Sequence, residues 1–332
     1  MKKGLKITIS LVCILTLLIL GLKGLRYLVT DDTRSFTRLM MHDLYTQEEN
    51  IDYLFVGSSH CYRSVIPSVI DEKKGGNSFN CGSSAQRMDG SLTLIKEVLI
   101  EHQPKVIVLD IYYDMIDTVN HSERDQLTST YAIADYMKFS WNKISYLLNA
   151  SSMDYYTNSF IVGRRNWKKL YDFDYIKSLL DKKSSEEYKN YVWKHDEDDE
   201  GYYCDRGYVA FDGKAEDDCS EEDMEPIRIA IDSFTEEWKE ELKEVVSICR
   251  KNDIKLIVVA APLPSKTLNL IQNYDEYVSF ISTMLKEMDV DYYDFNLPEY
   301  KIDEIGDDCF KDRDHLNSKG AQIYSNSLAD LL

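Results

Sequence analysis

The sequence predicts an α/β protein: a three-layer α/β/α sandwich on a parallel five-stranded sheet, with a helical insertion and an N-terminal transmembrane helix. Three observations carry that expectation. Short, nearly continuous apolar runs stop on turn residues, as in "IDYLFVGSS" (51–59), "KVIVLDI" (105–111) and "IKLIVVAAPLP" (254–264); strands buried on both faces read this way. Helical segments separate the runs, which makes the strands parallel and their crossovers right-handed. A basic amino end leads into an uncharged apolar run from Ile7 to Leu22.

That first run sets the outer organisation. Lys2, Lys3 and Lys6 precede it, as in a signal peptide or a signal anchor. It is slightly short of the roughly 20 residues that span a bilayer, but Lys23 can snorkel and the helix can extend to Val29. No small-x-small cleavage site follows, and Cys13 lacks the small residue that precedes a lipidated cysteine, so residues 1–30 are expected to remain as an anchor. Lys23 and Arg26 flank the far side, which leaves weak charge support for an inside amino terminus. A polar helical connector is expected over 31–50, and one domain over 51–332 with an insertion at about 115–232.

Within the domain the elements follow in order. Residues 51–59 form the first strand and "NSFNCGSS" (77–84) a shorter second, after which Ser83 or Ser84 caps a helix through "MDGSLTLIKEVLIEH". Residues 105–111 form a central strand. The insertion begins with aromatic helical segments such as "YAIADYMKFSWNKISYLL" and continues into the acidic "EDDCSEEDMEP", which resembles a solvated loop. An amphipathic helix from about Thr235 to Lys251 carries Trp238, Leu242, Val245, Val246 and Ile248 in register. The strand at 254–264, a helix at about 268–287, the strand "DYYDF" (291–295) and a closing helix at about 317–332 complete a flavodoxin-like sandwich.

Charge and cysteines narrow the function classes. The net charge is −19, and the first thirty residues hold five basic and no acidic side chains, so the rest carries −24. Such a domain repels nucleic-acid backbones, and no nucleic acid partner is expected. Outside the apolar run six cysteines remain, of which Cys204 and Cys219 are spaced for a short disulfide loop; the spacing forms no dense framework, and free buried cysteines are an equal expectation. No CxxC or HExxH occurs, so no metal or other cofactor is expected.

Acyl transfer by a serine needs a hydroxyl at an exposed turn, an imidazole to take its proton and a carboxylate to hold that imidazole. Ser58 and Ser59 stand at the first turn, and "DRDHLN" places Asp312, Asp314 and His315 just before the last helix. Gly-x-Ser after the first strand, Asn-x-Gly after the second and Asp-x-x-His before the last helix follow the order of the SGNH (GDSL-type) hydrolases, which this chain resembles. The resemblance implies Ser59 as nucleophile, His315 as general base and Asp312 as its orienter, with Asp314 the competing carboxylate. It implies an oxyanion hole from the backbone N–H groups of Ser59 and Gly82, with Asn80 shaping the turn. His60, Arg63 and Arg87 are expected near the cleft as substrate contacts, the arginines suited to an anionic group such as a teichoic phosphate.

One departure stands out. The family's third block presents an Asn that donates to the oxyanion, whereas this chain reads "LDIYYDMID", with Asp110 and Asp114. Removing one such donor costs about 10²- to 10³-fold in rate. The anchor and the "GSSH" block resemble the branch that holds the D-alanyl-lipoteichoic acid biosynthesis protein and the O-acetylation proteins of surface polysaccharides. That resemblance implies an extracytoplasmic serine acyltransferase or esterase, moving acetyl or D-alanyl groups on a cell-envelope polysaccharide or teichoic acid and fed by a membrane-bound O-acyltransferase. The alternative is a catalytically impaired polymer-binding or assembly protein on the same fold.

Overall fold

Parallel pairing of the apolar runs builds the sheet. The structure, a computed structural model, describes residues 2–113, 123–196, 201–213, 225–233 and 236–332. Asp114 and Cys219, named above, lie outside the described residues. The chain opens with α1 (Lys2–Val29), α2 (Phe36–Thr46), β1 (Tyr53–Val56), α3 (Ser59–Ser64), α4 (Pro67–Lys74), β2 (Ser78–Asn80), α5 (Met88–Val98) and β3 (Val106–Asp110). It continues with α6 (Glu123–Ala134), α7 (Trp141–Ala150), α8 (Tyr156–Phe160), α9 (Val162–Arg165), α10 (Phe173–Ser184), α11 (Glu186–Lys189), β4 (Tyr202–Tyr203) and β5 (Val209–Ala210). It ends with α12 (Glu236–Lys251), β6 (Lys255–Ala260), α13 (Ser265–Leu270), α14 (Tyr274–Glu287), β7 (Asp291–Asp294) and α15 (Ser318–Ala329).

Two compact units divide the chain, Met1–Ser35 with Leu147–Trp193 and Phe36–Tyr146 with Lys194–Leu332. The second unit holds the five-stranded sheet, ordered β2-β1-β3-β6-β7 and parallel throughout. In register, Leu54 faces Ile107 and Phe79, and Val108 faces Ile257. Phe55, Val108, Ile257 and Val259 point into one core with Ile70, Phe295, Tyr324 and Leu328. Leu54, Ile107, Leu109 and Val258 are buried on the opposite side, so both faces are covered, which explains the unbroken apolar reading of the strands. Between β1 and β3 the strand order reverses, and such a switch opens a crevice at the carboxyl ends of the strands.

Local details depart from the sequence expectations for physical reasons. In α12 the buried stripe is Trp238, Leu242, Val245, Val246 and Cys249; Cys249 completes the i, i+4, i+7 row and leaves Ile248 at its flank. The helix expected over about 268–287 is broken between α13 and α14. Ile271 bridges Ile227, and the Asn273 amide closes on the Ile229 N–H and C=O at 2.8 Å each. The start of α5 carries no side-chain cap: Arg87 stands at that position, Ser83 bonds through its backbone in the preceding loop, and the Ser84 hydroxyl meets the Tyr62 hydroxyl at 3.3 Å. The segment 31–50 is helical over α2, as expected, but α2 buries Leu39, Met40, Met41 and Leu44.

Part of the insertion belongs to the sheet unit. The antiparallel pair β4–β5 turns at Gly207, which has φ +88°, and the Arg206 C=O accepts from the Asn80 N–H at 2.9 Å. A Cβ at Gly207 would stand 1.7 Å from the Asn80 carbonyl oxygen. Gly207→Ala is therefore expected to destabilise the fold by roughly 2–4 kcal/mol through backbone strain and overpacking. Urea unfolding midpoints of the two proteins check this, and an unchanged midpoint is incompatible with the close approach.

In the first unit, α1 is the one described helix long and apolar enough to cross a membrane, over Gly4–Val29, with its apolar window wholly unburied. Lys183 of α10 closes on the end of this helix. Its buried ammonium donates to the Tyr27 C=O at 3.1 Å and the Thr30 C=O at 2.6 Å, and pairs with Asp32 at 3.0 Å. Breaking one partner of a buried pair leaves an uncompensated charge, so the contact fixes α10 against the helix end.

Candidate active site

β1 ends at Val56 and the chain turns on Gly57, where a Cβ would meet the Asp110 Cβ at 2.8 Å and the Cys61 Cβ at 2.9 Å. Only glycine lets the turn pass so close to β3. Ser58 follows as the cap of α3, its buried hydroxyl accepting from the His60 N–H at 3.3 Å. That leaves Ser59, the first residue of α3, half-buried with its hydroxyl turned toward His315.

The second piece is the loop before α15. Asn317 caps that helix, with Oδ1 accepting from the Gly320 N–H at 3.0 Å and Nδ2 donating to the Gly213 and Asp308 C=O groups at 2.8 Å each. The Lys311 N–H donates to the His315 C=O at 2.9 Å, closing a tight loop. Asp312 folds back inside it, and Oδ1 accepts from the backbone N–H groups of Asp314 and His315, both at 2.9 Å. These bonds hold the carboxylate under the imidazole before any substrate arrives.

The three side chains form one line. Ser59 Oγ lies 2.8 Å from His315 Nε2, and His315 Nδ1 lies 2.9 Å and 3.0 Å from Asp312 Oδ1 and Oδ2. With Nδ1 protonated toward Asp312, Nε2 presents a lone pair to the serine hydroxyl, the arrangement a general base requires. Burial pushes the Asp312 carboxyl up, but the His315 hydrogen bond and charge, the Asp314 N–H and Arg63 outweigh it and hold it below its ordinary value. Asp312 is thus an anion at neutral pH. Asp314 instead accepts from Arg313 at 3.2 Å and from the Tyr113 hydroxyl at 3.3 Å.

The other expected site residues already hold contacts within the protein. The Gly82 N–H donates to Asn80 Oδ1 at 3.0 Å, so it is already engaged and is not a preformed oxyanion donor. Asn80 Nδ2 is spent as well, on the Cys61 and Val65 C=O groups at 3.0 Å each; its amide locks the end of β2 to α3. Among the described residues no hydrogen bond uses the Ser59 N–H. Arg63 lies behind Asp312, donating from Nη1 to Oδ2 at 3.2 Å while its guanidinium covers the Phe211 ring at 3.7 Å. It steadies the carboxylate. Arg87 pairs with Asp89 at 3.6 Å, and among the described residues no contact joins it to Ser59, His315 or Asp312. His60 is buried, stacked on Tyr112 with ring centroids 3.8 Å apart, and its ring lies 4.7 Å from that of His315. Burial, then the charges of His315 and Arg63, hold its imidazole neutral.

Phe211 and Asp110 were not foreseen in these roles. Phe211 sits far along the chain from Arg63, inside an insertion with no motif, so nothing in the sequence announced it. Asp110 ends β3 beneath Gly57 at 3% exposure, accepting from the Ala261 N–H at 3.3 Å through Oδ2. Burial pushes its carboxyl up to about 7, aided by the Asp294 charge and opposed by the Ala261 N–H. An unfolded Asp titrates near 3.8, so between those values the folded chain holds the extra proton, and this group's contribution to stability falls as pH rises from about 4 to 7. Asp110→Asn is expected to flatten that slope and to gain roughly 2–3 kcal/mol at pH 8 relative to pH 5. Paired denaturation curves at the two pH values decide it, and parallel wild-type and variant slopes contradict it.

No protein-family model and no curated protein matches the chain. Among solved structures it is similar to a candidate acylhydrolase from Bacteroides fragilis, at 10% identity and TM-score 0.39 over 91% of this chain and 97% of that one. A GDSL-like lipase from Bacteroides thetaiotaomicron aligns at 9% identity and TM-score 0.40, over 89% and 97%. A candidate platelet activating factor from Streptococcus pneumonia aligns at 11% identity and TM-score 0.38, over 94% and 98%.

Proposed function

We propose that the protein is a serine esterase or O-acyltransferase that works outside the cytoplasm on acyl groups of a cell-envelope polymer. One observation carries the reading: Ser59, His315 and Asp312, from opposite ends of the sheet unit, stand in hydrogen-bonded sequence at the carboxyl edge of the sheet. Ser59 Oγ attacks the carbonyl carbon of an ester as its proton passes to His315 Nε2, and Asp312 stabilises the imidazolium. The Ser59 N–H is the donor left to the oxyanion, and Gly82 joins it only by exchanging Asn80 Oδ1. The leaving alcohol takes the proton from His315 as the C–O bond breaks, which leaves an acyl-serine. A sugar hydroxyl or water then attacks that ester and returns its own proton through His315.

The location and the polymer rest on other supports. The end of α1 is built into the first unit through Lys183 and through the Tyr175 hydroxyl, which donates to the Val29 C=O at 3.2 Å; cleavage after Thr30 would strip that unit of these contacts, which favours an anchor. Acetyl or D-alanyl transfer to a polysaccharide or teichoic acid, with a membrane-bound O-acyltransferase as donor, follows from the resemblance of the "GSSH" block. Purified full-length protein given p-nitrophenyl acetate is expected to show a burst of nitrophenol and an acyl adduct on Ser59. Added sugar alcohol accelerates the later turnover if transfer competes with hydrolysis. No burst and no adduct would overturn the enzymatic reading.

The engaged Gly82 N–H and the Asp in place of a third-block Asn favour a second reading, a polymer-binding protein with impaired chemistry. It is distinguished by retention of teichoic acid or polysaccharide on the unacylated protein in a pull-down that Ser59→Ala leaves unchanged.

A further inference from the structure

From the first unit we propose that the segment 162–173 forms a cationic aromatic collar that lies in the lipid headgroup layer where α1 leaves the bilayer, and that it contacts anionic phospholipid. The proposal rests on reading α1 as a membrane anchor. A spanning helix needs about 20 apolar residues, so a bilayer centred on Ile7 to Leu22 ends near Lys23 to Arg26. There α9 meets the helix. A Cβ on Gly163 would stand 2.6 Å from Leu25 Cγ and 2.9 Å from the Arg26 nitrogen. The closeness fixes the following residues at the level of the interface. Tyr175 and Lys183 tie α10 to the Tyr27 to Thr30 carbonyls, so the segment is held from both sides.

Between those ties the chain reads "GRRNWKKLYDF". Trp167 is 44% exposed, Tyr171 76% and Phe173 82%, a cost in water that few soluble surfaces bear in so short a stretch. Arg164, Lys168 and Lys169 stand among them, exposed, on a chain whose net charge is −19. Trp and Tyr favour the headgroup level, and clustered cations beside a spanning helix attract anionic headgroups. Solubility alone would call for acidic residues here, as on the rest of the chain. The combination fits a lipid surface.

The test places the full-length chain in nanodiscs of phosphatidylcholine, with or without phosphatidylglycerol, the acyl chains brominated near the headgroup end to quench nearby tryptophan. The Trp167 signal is the difference between wild type and Trp167→Phe. The expected result is loss of that signal in phosphatidylglycerol discs, a smaller loss in phosphatidylcholine alone, and its return in the R164E/K168E/K169E variant with unchanged circular dichroism. An undiminished Trp167 signal in a chain that resists alkaline extraction overturns the collar while leaving the anchor intact. Equal quenching in both lipids, unmoved by charge reversal, overturns the anionic contact. A chain extracted by alkali overturns the anchor, and the collar falls with it.

Discussion

Ser59→Ala is expected to lower ester cleavage by roughly 10⁴-fold or more and to abolish the acyl-enzyme, because the residual chemistry then lacks its nucleophile. The neighbouring serine gives the sharpest control. The Ser58 hydroxyl accepts the His60 N–H as the cap of α3, so Ser58→Ala loses about 1 kcal/mol of stability and retains the adduct. The two variants differ by one position and separate a cap from a nucleophile. Turnover of p-nitrophenyl acetate and intact mass after acylation read both, and equal activities in the two variants are incompatible with the geometry.

Asp312→Asn is expected to cost about 10⁴-fold in kcat with little change in KM. Two effects add. The anion that stabilises the developing imidazolium is gone, and an amide NH₂ placed against His315 Nδ1 favours the tautomer that carries its proton on Nε2, where the serine needs a lone pair. The Asp314 and His315 N–H groups hold the Asn carbonyl at the Oδ1 position, which leaves the NH₂ at the Oδ2 position, 3.0 Å from His315 Nδ1, and also sets it against the Arg63 guanidinium. Asp314→Asn leaves the line untouched, since Asp314 faces Arg313 and Tyr113, and its activity is expected to stay within a few-fold of wild type. Steady-state kinetics of the pair check this, and a larger loss at Asp314 contradicts the assignment.

The meeting of Ser59 with His315 and Asp312 was legible because each stands where a strongly patterned element ends: a buried strand halting on Gly-Ser-Ser, and an Asp-x-x-His just ahead of a helix. Topology then does the rest, since parallel strands put their carboxyl ends on one edge. What stayed hidden depends on single hydrogen bonds and on long-range neighbours. Nothing in "FNCGSS" tells that Asn80 turns its side-chain oxygen onto the Gly82 N–H. Nothing around Arg63 in the sequence tells that its guanidinium meets Phe211 and Asp312. The break between α13 and α14 is set by Ile227 and Ile229, from outside the helix pattern. The β4–β5 hairpin is too short to alternate visibly, and only the pressed backbone at Gly207 explains that glycine.

The central claim is that the hydroxyl at position 59 is the nucleophile, activated by an imidazole 2.8 Å away. Incubating the full-length protein with a fluorophosphonate and mapping the adduct by peptide mass spectrometry tests it most directly. The expected result is a single phosphonyl group on Ser59, absent in Ser59→Ala and strongly slowed in His315→Ala. An adduct on Ser58, or an unlabelled wild type beside an esterase that labels fully, would contradict it.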